Sequence, residues 1–125
     1  VEKLENFVRK TELGKRFALE WRNERWFDEE WVSWCEQLGI TLVSVDSPDF
    51  PKAVFNTSGL VYLRMHGREV WYSYNYSLEE LEDVVERALS AKPEKLYVFF
   101  NNDHDMLHNA RETLEIVRKR LGLRR

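Results

Sequence analysis

Two residues at the end of an apolar segment carry side chains that can bind an anion and transfer protons. Residues 60–67, LVYLRMHG, begin apolar and then place Arg64 and His66 two positions apart. Because strand side chains alternate between faces, these two point to the same side. A guanidinium suits bidentate contact with phosphate or carboxylate, and an imidazole suits acid–base chemistry near neutral pH. This pair is therefore the first candidate for a site.

Polar residues also end the other apolar segments of the chain. Glu20 and Arg22 end one segment and share a face, Asp46 ends another, and Asn101 and Asn102 follow the last. In parallel α/β sheets and barrels, ligands bind at the carboxyl ends of the strands. Polar ends that meet at one rim therefore predict a pocket.

Each of these residues also has a structural explanation. Glu20 and Arg22 suit a buried salt-bridge layer, because buried charges are usually paired whatever their function. Asp46 precedes Ser47-Pro48 and suits a turn, and residues 101–103 suit a helix N-cap. The sequence leaves both interpretations open.

Histidines and tryptophans give weaker signals. His104 and His108 lie four residues apart, a helical spacing that can chelate a metal but is more often part of a solvated face. Trp31 and Trp34 are expected in the core. Trp26 follows a strand in a loop, so we expect it to line a cavity.

The elements that position these residues follow from hydrophobic periodicity and from capping signals. We predict helices over residues 3–13, from about Asp28 to Gly39, from a Ser77–Glu80 capping box to 92, and up to Gly122. The predicted strands cover 15–21, 40–46, 60–66 and 95–100, and 47–59 is a loop. Strands separated by helices or by long connections predict a parallel sheet of an α/β protein.

Composition narrows the class of protein. The chain has 125 residues, is 43% hydrophobic and carries a net charge of −3, which indicates one folded domain and argues against nonspecific nucleic-acid binding. Its one cysteine, Cys35, excludes an intrachain disulfide and favours a cytoplasmic location. No apolar run reaches the roughly 20 residues of a membrane span, so no membrane partner is expected. The 33% charged residues of both signs are typical of a thermophile.

Taken together, the motifs resemble the YecE-like family, number seventy-two in the series of domains of unknown function. The family's pattern has Glu-x-Arg followed by Trp, an Asp after a strand, Arg-x-His-Gly, Tyr-Ser before a helix, and Phe-Asn-Asn. In this chain the pattern falls, over about residues 15–121, on Glu20, Arg22, Trp26, Asp46, Arg64, His66, Gly67, Tyr76, Ser77, Phe100, Asn101 and Asn102. After the two asparagines the chain has DHDMLHNA, which is bulkier than the family's small residues.

The resemblance implies a TIM barrel, of which this chain is only a part. Members of the family are about twice as long as this chain, with a barrel of about eight strands. We therefore expect residues 1–125 to be a single domain, the parallel four-stranded C-terminal half of a TIM (β/α)8-type barrel. Such a half has two open edges and an uncovered inner face, so we predict that a second copy completes it as a homodimer. A chain that is one piece of a longer protein is the alternative.

The resemblance gives no reaction, so residue chemistry must supply the function. Glu20, Asp46 and His66 are the predicted acid or base residues of an enzyme, and the arginines hold an anion. The predicted substrate-binding residues are Arg22, Trp26, Arg64, Tyr76, Asn101 and Asn102. We predict no cofactor. A divalent metal on Glu20, Asp46 and His66 agrees with their ligand chemistry, but no spacing demands it.

Three functions remain open at this stage. The first is an uncharacterised hydrolase with a strand-end pocket for a phosphate- or carboxylate-bearing ligand, such as a phosphoester or sugar phosphate. The second is a non-catalytic binding module for a small anion or a nucleotide. The third is an inactive structural fragment of a larger barrel, in which the polar rim is only a salt-bridge network. Whether the chain is an enzyme is left undecided.

Overall fold

The computed structural model of the chain describes residues 1–123. Helices and short strands alternate along it as α1 Glu2–Thr11, β1 Ala18–Leu19, α2 Glu29–Leu38, β2 Thr41–Leu42, β3 Ser44–Asp46, β4 Leu60–Met65, α3 Leu78–Ser90, β5 Lys95–Phe100 and α4 Met106–Leu121. Short 3-10 turns lie at Gly14–Arg16, Glu24–Trp26 and Asp103–Asp105. Within residues 1–123, no helix is both long and apolar enough to cross a membrane.

All strand pairs in the described chain are parallel, which confirms the predicted mixed α/β class with parallel sheets. β1 pairs with β2, and β3, β4 and β5 form a second sheet in that order. Only Val43 separates β2 from β3, and its N–H donates to the carbonyl of Leu19 at 2.8 Å. The predicted strand 40–46 is thus one extended segment that exchanges β1 for β4 as its neighbour.

The predicted strand 15–21 is wrong in extent, because only Ala18 and Leu19 form a strand there. Gly14 adopts the left-handed conformation with φ 54°, and the N–H of Phe17 donates back to its carbonyl at 2.9 Å. Residues 15 and 16, which the apolar alternation placed in the strand, therefore lie in this 3-10 turn.

Capping residues bound several helices where the sequence predicted, but the first helix ends at Thr11 with Glu12 as its left-handed cap, before the predicted stop at Gly14. The Asp28 side chain accepts the Trp31 N–H at the start of α2, and Gly39 ends that helix with φ 70°. Ser77 and Glu80 form both hydrogen bonds of a capping box at the start of α3. The expected cap by residues 101–103 is wrong, because Asn102 makes no side-chain capping hydrogen bond.

Two apolar cores support the strands. One packs α1 and α2 against β2 through Val8, Cys35, Ile40 and Leu42. Burial, with a smaller effect of Glu36, raises the pKa of the Cys35 thiol to about 11, so this cysteine is a core residue rather than a nucleophile. The other core lies between the three-stranded sheet and the helices α3 and α4, and includes Leu63, Met65, Leu81, Val84, Val85 and Ile116.

The opposite face of β4 and β5 is aromatic and partly exposed. Tyr62 stacks on Phe99 with ring centroids 4.9 Å apart, and Tyr97 lies 6.4 Å from Phe99. Tyr97 is 42% exposed and Phe99 is 47% exposed. We name Tyr62, Tyr97 and Phe99 the aromatic face. Arg64 and His66 continue the same face of β4 toward its carboxyl end.

Candidate functional site

Four of the predicted site residues meet at the carboxyl ends of β1 and β4. Glu20 binds Arg64 through Oε1 at 3.1 Å and Arg22 through Oε2 at 3.0 Å. Nε2 of His66 lies 3.8 Å from Oε2 of the same carboxylate. We name Glu20, Arg22, Arg64 and His66 the Glu20 cluster. The two residue pairs that the sequence placed on shared strand faces are thus brought together around one carboxylate.

The Glu20 cluster has a surplus of positive charge. One carboxylate faces two guanidiniums, so these three groups carry a net charge of about +1. Burial alone would raise the pKa of Glu20, but His66 and the charges of Arg64 and Arg22 outweigh it and hold that pKa below its ordinary value. Glu20 is therefore ionised at neutral pH, and Arg22, with 61% of its side chain exposed, keeps donors for another ligand.

His66 is buried without hydrogen bonds from its ring. Its side chain is 0% exposed, and neither Nδ1 nor Nε2 has a hydrogen-bond partner among residues 1–123. Trp71 and Tyr72 cover it with ring centroids 5.4 and 5.2 Å away. Buried polar atoms are nearly always hydrogen-bonded, so an imidazole that is unpaired on both nitrogens calls for a functional explanation.

A cleft lies beside His66, on the outer side of its two aromatic neighbours. It has a volume of about 380 Å³ and is lined by Arg22, Asp49, Phe50, Trp71 and Tyr72. The hydroxyl of Tyr72 accepts from Nη1 of Arg22 at 3.5 Å, and Trp71 Nε1 donates to Asp49 at 2.6 Å. We name this space the Trp71 cleft.

The loop that carries Trp71 and Tyr72 has a strained backbone. Tyr72 adopts the left-handed conformation with φ 60°, and its N–H donates to the carbonyl of His66 at 2.7 Å. Gly67 has φ 112°, and a Cβ there would lie 2.3 Å from the carbonyl oxygen of Val70. The tight turn after His66 therefore requires glycine.

Asp46 belongs to a second cluster, on the helix side of the sheet. The register pairs Asp46 with Met65, whereas Arg64 and His66 point to the other face. Both oxygens of Asp46 accept from Arg68, and Oδ1 also accepts from the hydroxyl of Tyr76 at 2.8 Å. The polar strand ends thus form two clusters rather than the single one that the sequence predicted.

Tyr76 and Arg68 connect this second cluster to the loop and to α3. The Tyr76 hydroxyl accepts the N–H of Gly67 at 2.8 Å, and Arg68 lies 3.5 Å from Glu80. We name Asp46, Arg68, Tyr76 and Glu80 the Asp46 cluster. The His66 N–H also donates to the backbone carbonyl of Asp46 at 2.8 Å, so the Asp46 cluster holds the backbone on both sides of the His66 side chain.

Acid–base properties in the Asp46 cluster agree with complete pairing. Burial and the charge of Asp46 raise the pKa of Tyr76 far above its usual range, so its hydroxyl stays protonated. Burial and a hydrogen bond to Glu80 raise the pKa of the neighbouring Tyr74 to about 12. Burial would raise the pKa of Glu80, but its bonds to Ser77 and Tyr74 hold it below the ordinary value.

The remaining predicted site residues do not join the Glu20 cluster through any contact in the described chain. Asn102 is buried, and its Nδ2 donates to the Tyr74 carbonyl at 2.6 Å and to Asn109 at 2.8 Å. Asn101 is exposed, with its N–H bonded to the Met65 carbonyl. Trp26 stacks on Trp21 at 4.8 Å, within a group of tryptophans.

The two spaced histidines do not form a metal site. His104 is 93% exposed and lies 3.5 Å from Asp103, while His108 lies 3.2 Å from Glu112. Among residues 1–123, no three histidine, cysteine, aspartate or glutamate side chains come together in a group that could hold a metal ion. A cation on Glu20, Asp46 and His66 is disfavoured by their separation into two clusters.

Sequence reasoning missed Arg68, Trp71, Tyr72 and Asn109. Trp71 and Tyr72 lie in a loop after a strand end, which is the criterion that selected Trp26, so the same signal was present. Arg68 directly follows the Arg-x-His-Gly motif and could have been assigned as the partner of a buried aspartate. Asn109 lies within a helical pattern, and nothing in the sequence marks it as buried.

Comparison with known proteins shows which protein family the chain is similar to. The model of the family "Protein of unknown function DUF72" matches residues 1–124. A crystal structure of a DUF72 family protein from Thermotoga maritima is similar, with 33% identity and a TM-score of 0.77 over 97% of this chain and 51% of that one. Comparison with the curated proteins gave no match.

A DUF72 family protein from Enterococcus faecalis, solved in two crystal structures, is also similar. These give 24% and 26% identity with TM-scores of 0.73 and 0.71, over 100% and 98% of this chain and 55% and 56% of theirs. The chain thus spans about half the length of the solved structures it matches. It belongs to the DUF72 family, which is the YecE-like family that its motifs resemble.

Proposed function

We propose that the Glu20 cluster binds a small anion, a phosphate or carboxylate group, at the carboxyl ends of β1 and β4. The observation that carries this proposal is His66, fully buried with both ring nitrogens unpaired beside two arginines. An anionic oxygen accepts a hydrogen bond from the imidazole N–H and gains from the surplus positive charge. Trp21 Nε1 and Asn102 Oδ1 are also buried without a hydrogen-bond partner among residues 1–123, but neither belongs to the Glu20 cluster.

The cluster also has the groups that hydrolysis of a phosphoester needs. Arg22 and Arg64 would hold the phosphoryl oxygens while water attacks the phosphorus and the P–O ester bond breaks. His66, in its protonated form, would give a proton to the leaving oxygen, and the Glu20 carboxylate would face the imidazolium. The activity would be that of a hydrolase on a small phosphorylated substrate.

The roles predicted for Asp46, Tyr76 and Asn102 change in this proposal. The Asp46 carboxylate accepts hydrogen bonds from Arg68 and Tyr76. The amide nitrogen of Asn102 donates to the Tyr74 carbonyl and to the Asn109 side chain. The Asp46 carboxylate, the Tyr76 hydroxyl and Nδ2 of Asn102 therefore have little capacity left for substrate, whereas Oδ1 of Asn102 is buried without a partner among residues 1–123. We therefore assign them as positioning residues that fix the loop after His66.

A structural salt-bridge network is the second candidate. The Glu20 carboxylate already binds both arginines of its cluster, which is the arrangement that such a network predicts. A network of this kind would explain the charges and the position of His66 Nε2, 3.8 Å from the Glu20 carboxylate, but would leave the buried Nδ1 unexplained. A binding module without turnover shares the first proposal's contacts and differs only in lacking hydrolysis.

Calorimetric titration with inorganic phosphate separates these candidates. We expect saturable binding by the wild-type chain, and at least about a tenfold weaker Kd in Arg64→Gln and in His66→Ala. Glu20→Gln should bind phosphate more tightly, because its loss frees donors of both arginines. Arg111→Gln, an exposed arginine on α4, is the matched control and should bind like the wild type.

The outcomes distinguish a site from a network. Unchanged melting temperatures with lost binding support the site. No binding by the wild type, together with a large loss of stability in His66→Ala, supports the network and overturns the proposal. Release of nitrophenol from p-nitrophenyl phosphate by the wild type, but not by His66→Ala, would establish hydrolysis rather than binding alone.

We also propose that residues 1–125 are a single domain and form half of a TIM-type barrel that a second copy completes. The support is the similarity to proteins of about twice this length, together with the exposed aromatic face. Among the described residues β5 pairs with β4 alone, and an apolar groove of about 450 Å³ runs between β5 and α4. An unpaired edge beside apolar surface favours association.

Sedimentation tests this assembly. We expect the wild type to sediment as a homodimer, and Phe99→Lys, which places a charge on the aromatic face, to sediment as a monomer with a lower melting temperature. Gln37→Lys, at an exposed position on α2, is the control for an added charge. A monomeric wild type with a sharp thermal transition would contradict the proposal.

A further inference from the structure

The Trp71 cleft is larger and chemically more varied than an inorganic anion requires. Its volume is about 380 Å³, and its lining joins three aromatic rings, one guanidinium and one carboxylate. A phosphate ion would contact only the guanidinium side of this space. The other lining residues therefore indicate a ligand that carries more than its anionic group.

Trp71 forms a fixed wall of the cleft. Its indole N–H donates to Asp49 at 2.6 Å, and its ring packs edge-on against Phe50 at 5.5 Å between centroids. The same ring lies 5.4 Å from His66 and 5.6 Å from Tyr72. A ring held from several sides loses little conformational freedom when a ligand stacks on it.

Asp49 selects among the rings that could stack there. It is exposed and makes no ion pair among residues 1–123, so its carboxylate keeps acceptor capacity after the bond to Trp71. A carboxylate accepts hydrogen bonds from hydroxyl groups and repels a second anion. The combination of an indole face and a free carboxylate suits a polyhydroxylated ring better than an aromatic acid.

Arg22 supplies the charge for the other end of such a ligand. It lines the same cleft, has 61% of its side chain exposed and contacts the Tyr72 hydroxyl at 3.5 Å. It is also a member of the Glu20 cluster. An anionic group at Arg22 would therefore bind at the outer edge of the Glu20 cluster, with Trp71 and Tyr72 between the cleft and His66.

We infer that the ligand of this chain is a phosphorylated sugar, with its ring on Trp71, a hydroxyl on Asp49 and its phosphate at Arg22. This inference rests on the proposed anion site and names its substrate class. The ring and hydroxyl contacts add affinity that inorganic phosphate does not gain. They also exclude phosphate esters whose ring has no hydroxyl groups.

The test is calorimetric titration of the full chain with four probes: inorganic phosphate, glucose 6-phosphate, ribose 5-phosphate and phenyl phosphate. We expect at least one sugar phosphate to bind about tenfold more tightly than both inorganic phosphate and phenyl phosphate. Asp49→Ala and Trp71→Leu should each remove most of this advantage, by weakening the Kd for the sugar phosphate by a larger factor than the Kd for inorganic phosphate. Asp105→Ala, a carboxylate that makes no capping bond at α4, is the matched control.

Failure of the sugar-phosphate proposal and failure of the anion site give different results. If phosphate binds and the sugar phosphates bind no more tightly, the sugar class is overturned and the anion site stands. Tighter binding of phenyl phosphate than of either sugar phosphate also overturns it. If no probe binds, both proposals fail. If Trp71→Leu lowers the melting temperature strongly, its binding data are set aside. The Kd values of the exposed Asp49→Ala variant for the sugar phosphate and for inorganic phosphate then decide the proposal.

Discussion

The Glu20 cluster and the Asp46 cluster lie at the same strand ends and combine carboxylates with arginines, yet they differ in how completely they are paired. Asp46 accepts from Arg68 and from Tyr76, whose hydroxyl in turn accepts a backbone N–H. His66 of the Glu20 cluster leaves two buried nitrogens without a partner in residues 1–123. The buried polar groups of the Asp46 cluster are thus hydrogen-bonded, whereas the imidazole of the Glu20 cluster is not.

This difference separates a scaffold from a candidate site. A saturated network rigidifies the backbone, and removing one member leaves a buried partner unpaired. An unsatisfied buried group with adjacent positive charge is instead suited to a ligand. The Asp46 cluster also fixes the backbone at His66, because its members accept hydrogen bonds from the N–H groups of His66 and Gly67.

The largest loss of stability is expected for Asp46→Ala. It leaves the Tyr76 hydroxyl without its acceptor, and it leaves Arg68, with only 17% of its side chain exposed, with the more distant carboxylates of Glu80 at 3.5 Å and Asp83 at 3.9 Å. We expect the free energy of unfolding to fall by about 3–5 kcal/mol, measured by urea denaturation. Glu20→Gln should cost about 1 kcal/mol or less, because its arginines reach solvent. Equal losses in the two variants would contradict the division into scaffold and site.

A smaller loss is expected when the turn after His66 is disturbed. An added Cβ in Gly67→Ala would meet the Val70 carbonyl at 2.3 Å in a left-handed backbone, so we expect a loss of about 2–3 kcal/mol. Gly122→Ala is the matched control, since Gly122 has φ 68° with open space around it and should lose only about 1 kcal/mol. Thermal unfolding compares the pair, and similar losses would show that the turn does not position His66.

The Tyr76→Phe variant removes a hydroxyl that bridges Asp46 and the Gly67 N–H. We expect a loss of about 1–2 kcal/mol in urea denaturation, since one buried acceptor and one buried donor lose a partner. The Tyr76→Phe variant should also bind phosphate more weakly than the wild type if the Asp46 cluster positions His66. Weaker binding without loss of stability would instead assign Tyr76 to substrate binding, as the sequence first suggested.

The smallest expected effect is a change in how the free energy of unfolding falls at acid pH. Glu20 and Glu80 both have a folded-state pKa below the ordinary value of 4.5. Their contribution is therefore fully present above the unfolded pKa and is lost as the pH falls through the folded pKa. Glu20→Gln and Glu80→Gln should each flatten the loss of stability below about pH 4.5 in urea denaturation. If either variant loses free energy of unfolding as steeply as the wild type below this pH, the pairing assigned to that glutamate is contradicted.

The sequence predicted those parts of the fold that depend on local patterns. The caps at Asp28, Gly39 and Ser77 follow from residue type alone, and strand alternation correctly placed Arg64 and His66 on one face. The short β1 was not predictable, because the turn at Gly14 overrides an apolar alternation.

The site was predictable only in part, for a physical reason. The side of the sheet on which Asp46 lies depends on its register with β4, which is a nonlocal contact. The cover over His66 depends on a left-handed residue, Tyr72, whose conformation is set by tertiary contacts rather than by residue preference. The motifs therefore located the strand ends but did not divide them into two clusters.

The most direct test of the central claim is a titration of the wild-type chain with inorganic phosphate, followed through the imidazole signals of its histidines by NMR. His104→Gln and His108→Gln assign the exposed histidines and leave His66. We predict a saturable shift of the His66 signals that disappears in Arg64→Gln. Unchanged His66 signals at phosphate concentrations that shift only His104 and His108 would contradict the account.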